Sequence, residues 1–221
     1  MESTSDRFAK QRKRLLAQLR ADGIRDAAVL NAFSAVPREA FVSIELEDRA
    51  YDNTPLPISN QQTISQPYIV ALMTEALHLK STDRVLEVGT GSGYAAAILA
   101  EIADEVFTIE RFQSLADGAE AQLHKLGYNN VYVIYGDGSQ GWPKEAPYDA
   151  IVVAAGGPEL PQPLIDQLRV GGRLVMPVGD QREEQILIRA TKHADGTIEQ
   201  EKLTYVRFVP LVGLSGWDDE V

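Results

Sequence analysis

From residue 67 onward, short apolar runs alternate with segments whose apolar residues recur at three- and four-residue spacing. Runs bounded by turn residues predict strands, and the wider spacing predicts helices. The predicted strands cover 84–88, 105–110, 131–135, 148–153, 172–178, 184–190 and 201–209. Helices are predicted between them over 93–103, 112–126 and about 162–169. This alternation predicts an α/β fold, a doubly wound and mostly parallel seven-stranded sheet of Rossmann-like type.

The remaining segments complete the predicted architecture of a single domain over residues 1–221. Helical periodicity covers 7–20, 25–33 and 67–79, whereas 53–66 is rich in Pro, Asn, Gln, Ser and Thr and predicts a loop. Between the last two strands, an Asp-Gly pair at 195–196 predicts a terminal antiparallel hairpin. The domain therefore divides into N-terminal helices and a loop (1–66), a core (67–200), and a last strand with a tail (201–221).

The most informative stretch is VLEVGTGSG, residues 85–93, in which an apolar run leads into three alternating glycines, Gly89, Gly91 and Gly93. Glycine has no Cβ, so such a turn lets the backbone closely approach a ligand. The helix that follows directs its free N–H groups at the same place. A nucleotide-type pocket is predicted, and Gly91, Gly93 and Ala96 also satisfy the dinucleotide spacing G-x-G-x-x-G/A, which keeps NAD open.

Three successive strand tips each carry an acid. Glu87 precedes the first glycine by two residues, where a carboxylate would repel a pyrophosphate but suit a ligand with an ammonium and a sulfonium group. S-adenosyl-L-methionine is such a ligand. Glu110 ends the next strand, at the place of a ribose diol, and Asp137 ends the third, where it could accept a hydrogen bond from an adenine amino group.

Composition narrows the class of protein. The chain has 221 residues, 44% hydrophobic residues, no Cys, three His and a net charge of −11. We therefore expect no disulfide, no cysteine nucleophile and no metal site. The negative charge argues against nucleic acid as a partner. No apolar run is long enough for a membrane span and the N-terminus is polar, so a cytoplasmic protein without membrane contact is expected.

No catalytic triad, metal cluster or spaced carboxylate pair stands out in the sequence. Methyl transfer to a carboxylate would need none, because an acceptor with a pKa of about 4 is already ionised at neutral pH. The chain would mainly align the reactants and exclude water. Ser65 directly precedes a predicted helix, where it could serve as the N-cap and also hold a substrate carboxylate.

Segments along nearly the whole chain resemble the protein-L-isoaspartate O-methyltransferase family. They are PLPISNQQTISQPYIVALMTEAL, VLEVGTGSGYAAA, FTIER, GDGSQGWP, YDAIVVAA, GGRLVMPVG and VRFVPL, together with VPRE and FV near the N-terminus. The resemblance implies a seven-stranded methyltransferase sheet. It also implies transfer of a methyl group from S-adenosyl-L-methionine to the α-carboxylate of L-isoaspartyl residues in damaged proteins and peptides, which initiates their repair.

The resemblance also implies roles for individual residues. Ser65 matches the family's active-site serine, and Gln62, Thr63, Ile64 and Ser65 match the loop that covers donor and acceptor. On the donor side, Glu87 and the glycines 89, 91 and 93 match the methionine-side motif, Glu110 the ribose acid, and Asp137 with Gly138 the adenine contact. On the acceptor side, Thr63 and Ser65 face a cleft lined by residues 206–211, among them Val206, Val209 and Pro210.

Two positions depart from the family pattern. Ser59 stands where glycine is common, and Val212 stands where a polar residue is common. We expect a monomeric enzyme that uses S-adenosyl-L-methionine. The alternatives are a methyltransferase with a small-molecule acceptor, an NAD-dependent oxidoreductase that uses the glycine spacing, and a non-catalytic binding module that keeps the fold.

Overall fold

A seven-stranded sheet forms the centre of the computed structural model, which describes residues 4–181 and 184–218. Its strands are β3 (Arg84–Val88), β4 (Glu105–Glu110), β5 (Val131–Tyr135), β6 (Tyr148–Val153), β7 (Leu168–Gln181), β8 (Glu184–Lys192) and β9 (Ile198–Val206). Their order in the sheet is β5-β4-β3-β6-β7-β8-β9. The helices are α1 (Thr4–Ala21), α2 (Ala27–Ala35), α3 (Pro67–Ala76), α4 (Tyr94–Ala100), α5 (Gln113–Lys125) and α6 (Gln162–Asp166). Short helical turns cover Arg38–Phe41, Ile44–Arg49, Gly138–Gln140 and Pro143–Glu145.

The sheet has the predicted parallel core. Strands β5, β4, β3, β6 and β7 run parallel, while β8 pairs antiparallel with both β7 and β9. The chain winds from β3 outward to β5, then returns to place β6 on the other side of β3. That reversal leaves a crevice at the carboxyl ends of β3 and β6, which is where α/β sheets bind their ligands.

Both faces of the sheet are covered. Along β3 and β6, Val85, Ala150 and Val152 belong to one apolar cluster, which includes the N-terminal helices. Leu86 and Ile151 belong to the second cluster, on the opposite face. This double burial explains why the central strands are continuous apolar runs. Residues 1–3, 182, 183 and 219–221 lie outside the described part, and the single-domain organisation over 1–221 stays a prediction.

The predicted bounds shift at several ends. Helix α6 ends at Asp166 because Leu168 already pairs with Tyr148 at the start of β7. Strand β9 covers 198–206 and not 201–209, because the chain leaves the ladder after Val206. The terminal hairpin is confirmed, with Gly196 at φ +84° in its turn.

The prediction of a loop over 53–66 is wrong in its middle. Strands β1 (Leu56–Pro57) and β2 (Thr63–Ile64) form a small antiparallel hairpin. Its turn is closed by the Gln62 N–H, which donates to the Ser59 carbonyl at 3.1 Å, and both central residues, Asn60 and Gln61, have positive φ. This is a type I′ turn. Two-residue strands are too short to show an alternating pattern, so the composition of the segment concealed them.

Candidate active site

A cleft of about 1280 Å³ opens at the carboxyl ends of β3, β4 and β6, as the winding predicts. Its floor is formed by residues at or just after the ends of these strands, among them Val88, Gly89 and Ala154. The β1–β2 hairpin and the residues that follow it form one wall (60–66), and the segment 205–212, which starts at the end of β9, forms another. The structure therefore brings the predicted glycine turn, the predicted covering loop and the predicted acceptor wall around one space.

The glycine turn has the geometry that its sequence predicts. Gly89, Gly91 and Gly93 all have positive φ, and α4 begins directly after Gly93. Position 93 favours glycine because its φ is +86°, which L side chains rarely adopt, and a Cβ there would also lie only 3.2 Å from Leu123 Cδ1 on α5. The turn therefore presents backbone to the cleft where a ligand can approach it.

Glu110 lies at the tip of β4 and lines the cleft with a side chain that is almost fully buried. Its Oε2 accepts a hydrogen bond from the Gly91 N–H at 2.9 Å, and its Oε1 accepts one from the Phe112 N–H at 3.0 Å. These two bonds fix the carboxylate between the glycine turn and the start of α5. An acid held in this way retains lone pairs for a diol and is well placed to bind a ribose.

Glu87 lies beneath the turn and is not among the residues that line the cleft. It is 1% exposed, and its Oε2 accepts a hydrogen bond from Thr108 Oγ1 at 2.5 Å, which in turn bonds to Thr90 Oγ1 at 2.6 Å. Burial, opposed by the Thr108 bond and reinforced by the charge of Glu110, raises the pKa of Glu87 to about 8. The carboxyl is therefore largely protonated at neutral pH in the free protein. The sequence argument, which assigned it a full negative charge, is corrected on this point.

The raised pKa of Glu87 makes a prediction about stability. Its ordinary pKa is 4.5, so between pH 4.5 and 8 the folded state binds a proton that the unfolded state does not. The free energy of unfolding should then fall as pH rises through this interval. Glu87→Gln lacks this contribution. The difference in free energy of unfolding between the variant and the native chain should therefore change with pH, by up to about 1.4 kcal/mol per pH unit. Urea denaturation at several pH values measures it, and parallel pH curves for the two proteins would contradict it.

Asp137 and Gly138 lie at the tip of β5, but only Gly138 lines the cleft. Asp137 Oδ1 accepts from the Ser139 N–H at 2.9 Å and from Ser139 Oγ at 2.7 Å, while its Oδ2 accepts from the Leu214 N–H at 2.9 Å. Asp137 therefore anchors the C-terminal segment, with capacity left on Oδ2 for one further donor. A Cβ on Gly138 would lie 2.4 Å from Val88 Cγ1, so the backbone can lie against the floor only with glycine there.

The residues predicted for the acceptor side all line the cleft. Thr63 and Ser65 line the cleft from the hairpin, and Val206, Val209 and Pro210 line it from the opposite wall. Gln62 and Ile64 complete the hairpin wall. The structure also locates the two residues that depart from the family pattern. Ser59 lies in the hairpin turn but outside its two positive-φ positions, and Val212 lines the cleft.

The expectation that Ser65 caps α3 is wrong. The helix begins at Pro67 with Gln66 as its cap residue, and Gln66 makes no side-chain capping bond. Asn53 Oδ1 accepts the hydrogen bond from the Tyr68 N–H at 2.9 Å instead. The Ser65 hydroxyl has no hydrogen-bond partner among residues 4–181 and 184–218, so it remains available to the cleft. A cap supplied from a distant segment leaves no signal in the local sequence.

Two further groups near the site were not identified from the sequence. Arg38, within the VPRE motif, donates from Nη2 to the Ser65 carbonyl at 2.8 Å. Trp217 donates from Nε1 to the Gly156 carbonyl at 2.9 Å and holds the C-terminal segment against the end of β6. In the part of the chain that the structure describes, no group of acidic, His or Cys side chains could hold a metal ion. Nor does any described helix have the length and apolar character needed to cross a membrane.

The comparisons with known proteins decide the family. The model of the protein-L-isoaspartate(D-aspartate) O-methyltransferase family matches residues 10–216. The chain belongs to this family. It is 60% identical over 211 residues to protein-L-isoaspartate O-methyltransferase 1 of Rhodopseudomonas palustris strain HaA2, covering 95% of this chain and 86% of that protein. It is also 56% identical to the enzyme of Methanoculleus marisnigri, with 92% of each chain covered.

The comparison with solved structures gives the same family. A protein-L-isoaspartate O-methyltransferase with 31% identity superposes at a TM-score of 0.83, covering 93% of this chain and 67% of that one. A β-aspartate methyltransferase from Plasmodium falciparum, in complex with S-adenosyl-L-homocysteine, superposes at 0.76 with 28% identity, covering 89% and 96%. The resemblance inferred from the motifs is therefore confirmed, as is the methyltransferase fold. Membership in this methyltransferase family also removes the reading of the glycine spacing as an NAD site.

Proposed function

We propose that this chain transfers a methyl group from S-adenosyl-L-methionine to the α-carboxylate of L-isoaspartyl residues in damaged proteins and peptides, and so initiates their repair. The observation that carries the proposal is the meeting of two walls at one cleft. The glycine turn with Glu110 forms the donor side, and the hairpin with the segment 205–212 forms the acceptor side.

The donor side fits a nucleoside with a cationic tail. Gly89 and Gly91 expose backbone to the cleft, Gly93 ends the same turn, and Gly138 approaches the floor of the cleft. Glu110 is the acid for the ribose hydroxyls, with Asp137 and Gly138 at the adenine end. When bound, S-adenosyl-L-methionine supplies a methyl group on a positively charged sulfur.

The acceptor side fits a carboxylate on an extended chain. The Ser65 hydroxyl can donate to one carboxylate oxygen, and Thr63 lies beside it on the same hairpin wall. Val206, Val209 and Pro210 provide an apolar surface opposite, which displaces water from the reacting groups. The cleft is open to solvent at its rim, where Tyr205 is 72% exposed, and this opening suits a peptide better than an enclosed small molecule.

The reaction requires no general base among the side chains. The acceptor carboxylate is ionised at neutral pH, so no general base has to remove a proton. Alignment of the two reactants and exclusion of water supply the rate enhancement. This agrees with a cleft lined by backbone, hydroxyl and apolar groups.

A paired peptide assay tests the proposal. Purified protein and radiolabelled donor are incubated with an isoaspartyl peptide and with the aspartyl peptide of identical sequence. We expect base-labile label in the isoaspartyl peptide alone, since only in that peptide does the main chain run through the β-carboxyl and leave the α-carboxylate free. Equal labelling of both peptides, or of neither, would refute the proposed acceptor.

The location of the protein and its oligomeric state are also part of the proposal. We propose a cytoplasmic location, consistent with a sequence that has no cysteine and so none of the disulfides common in secreted proteins. We also propose a monomer, because the large exposed apolar side chains of the described residues are scattered over different elements and include Ile44, Tyr132, Val170 and Leu214.

A further inference from the structure

Arg38 joins three separate segments of the chain around the acceptor wall. Its side chain is fully buried, with Nε donating to the Ala50 carbonyl at 2.8 Å and Nη2 donating to the Ser65 carbonyl at 2.8 Å. Its guanidinium carbon lies 4.6 Å from the centroid of the Tyr94 ring. Tyr94 is the first residue of α4, directly after the glycine turn, and it lines the cleft. One side chain thus contacts both the acceptor hairpin and the donor helix.

Stability alone does not account for this arginine. Among residues 4–181 and 184–218 no carboxylate pairs with it, and its Nη1 has no hydrogen-bond partner. Burial lowers the pKa of Arg38, partly opposed by Tyr94. A buried charge without a counter-ion costs free energy, and apolar residues of similar volume are often more stable in such places. This arrangement is typical of a residue that positions neighbouring groups.

Ser65 belongs to no regular element that could orient it. The β1–β2 ladder ends at the pair Leu56 and Ile64, and α3 begins only at Pro67. The Ser65 carbonyl accepts its hydrogen bond from Arg38 instead. Fixing that carbonyl fixes the peptide plane that follows Ser65, and with it the direction in which the Ser65 side chain leaves the backbone.

We propose that Arg38 is a positioning residue for methyl transfer, which holds the Ser65 backbone so that its hydroxyl meets the acceptor carboxylate. The inference rests on the proposed function. Arg38 itself does not line the cleft, so it acts through Ser65. Tyr94 also packs edge-on against Phe33 and Phe41, which hold the start of α4 without Arg38. The expected effect of losing Arg38 is therefore on the acceptor, with donor binding retained.

The test compares Arg38→Gln and Arg38→Lys with the native chain. For Arg38→Gln we expect kcat/KM toward an isoaspartyl peptide to fall about 100-fold, the cost of a small misplacement away from the reacting atoms. Arg38→Lys should restore part of the activity, because an ammonium can donate to the Ser65 carbonyl but lacks the planar fork with which Nε and Nη2 reach two separate carbonyls. Calorimetry should give an unchanged Kd for S-adenosyl-L-homocysteine. Hydrogen exchange at the Ser65 and Gln66 amides should accelerate while exchange in α1 does not.

The matched control is Arg12→Gln. Arg12 lies in α1 and donates from Nε to Tyr51 Oη at 2.8 Å and from Nη1 to the Ser34 carbonyl at 2.9 Å, without contact to Ser65. It should keep the native kcat/KM. Native activity in Arg38→Gln would overturn the inference, as would a parallel loss of donor affinity. Failure of both Arg38 variants to fold would assign the residue to folding and also overturn it. If the native chain itself leaves the isoaspartyl peptide unmethylated, the proposed function fails instead.

Discussion

Replacing Glu110 by alanine should weaken the binding of S-adenosyl-L-homocysteine on the order of 100-fold. The carboxylate accepts hydrogen bonds from the Gly91 and Phe112 N–H groups and faces the cleft where a ribose diol fits. Hydrogen bonds to a charged group contribute about 1.5–3 kcal/mol each, and about 1.4 kcal/mol corresponds to tenfold in Kd. The variant loses the bonds to the ligand and also frees the glycine turn. Isothermal titration calorimetry measures the change.

Glu105→Ala is the control for this prediction. Glu105 lies at the other end of the same strand, where its Oε2 accepts from Arg84 Nε at 2.8 Å, and it does not line the cleft. Donor-product affinity should be unchanged in this variant even if its melting temperature falls. Equal Kd values for Glu110→Ala and the native chain would exclude Glu110 from the donor site.

Replacing Ser65 by alanine should lower turnover of an isoaspartyl peptide on the order of 100-fold, the typical cost of removing one preorganised hydrogen-bond donor from an active site. The Ser65 hydroxyl is free of protein partners in the described chain and lines the cleft. The carbonyl bond to Arg38 does not depend on the side chain, so the backbone should keep its position. Donor affinity should therefore be retained, and single-turnover kinetics with preloaded donor would place the loss in the methyl-transfer step.

Ser59→Ala makes the same chemical change in the same hairpin. Ser59 lies in the turn and does not line the cleft, so this variant should turn over at the native rate. A Ser65→Ala protein as active as Ser59→Ala would show that the hydroxyl has no part in the reaction.

The parallel core and the glycine turn with Glu110 were predictable because their signals are local. A buried strand, a glycine turn and a helix follow one another between residues 84 and 100, and Glu110 ends the next apolar run. The parallel order of the strands then brings these tips to one edge of the sheet. The bond between Gly91 and Glu110 is a direct consequence of this order.

What could not be predicted depends on contacts between distant segments. Asn53 caps α3 and Arg38 holds the Ser65 carbonyl. The local sequence around these two residues does not indicate which distant segment each of them contacts. The protonation of Glu87 depends on its complete burial. The sequence shows only that Glu87 lies near the end of a strand and does not show how deeply it is buried. The bonds of Asp137 to the C-terminal segment likewise appear only when residue 214 folds back over the tip of β5.

The central claim is that donor and acceptor meet between the acid-tipped strands and the hairpin that carries Ser65. A crystal structure of the complex with S-adenosyl-L-homocysteine tests it most directly. We predict ribose hydroxyls on Glu110, the adenine beside Gly138, and the sulfur atom directed toward Ser65. A product molecule bound elsewhere, or one whose sulfur faces away from the hairpin, would contradict this account of the site.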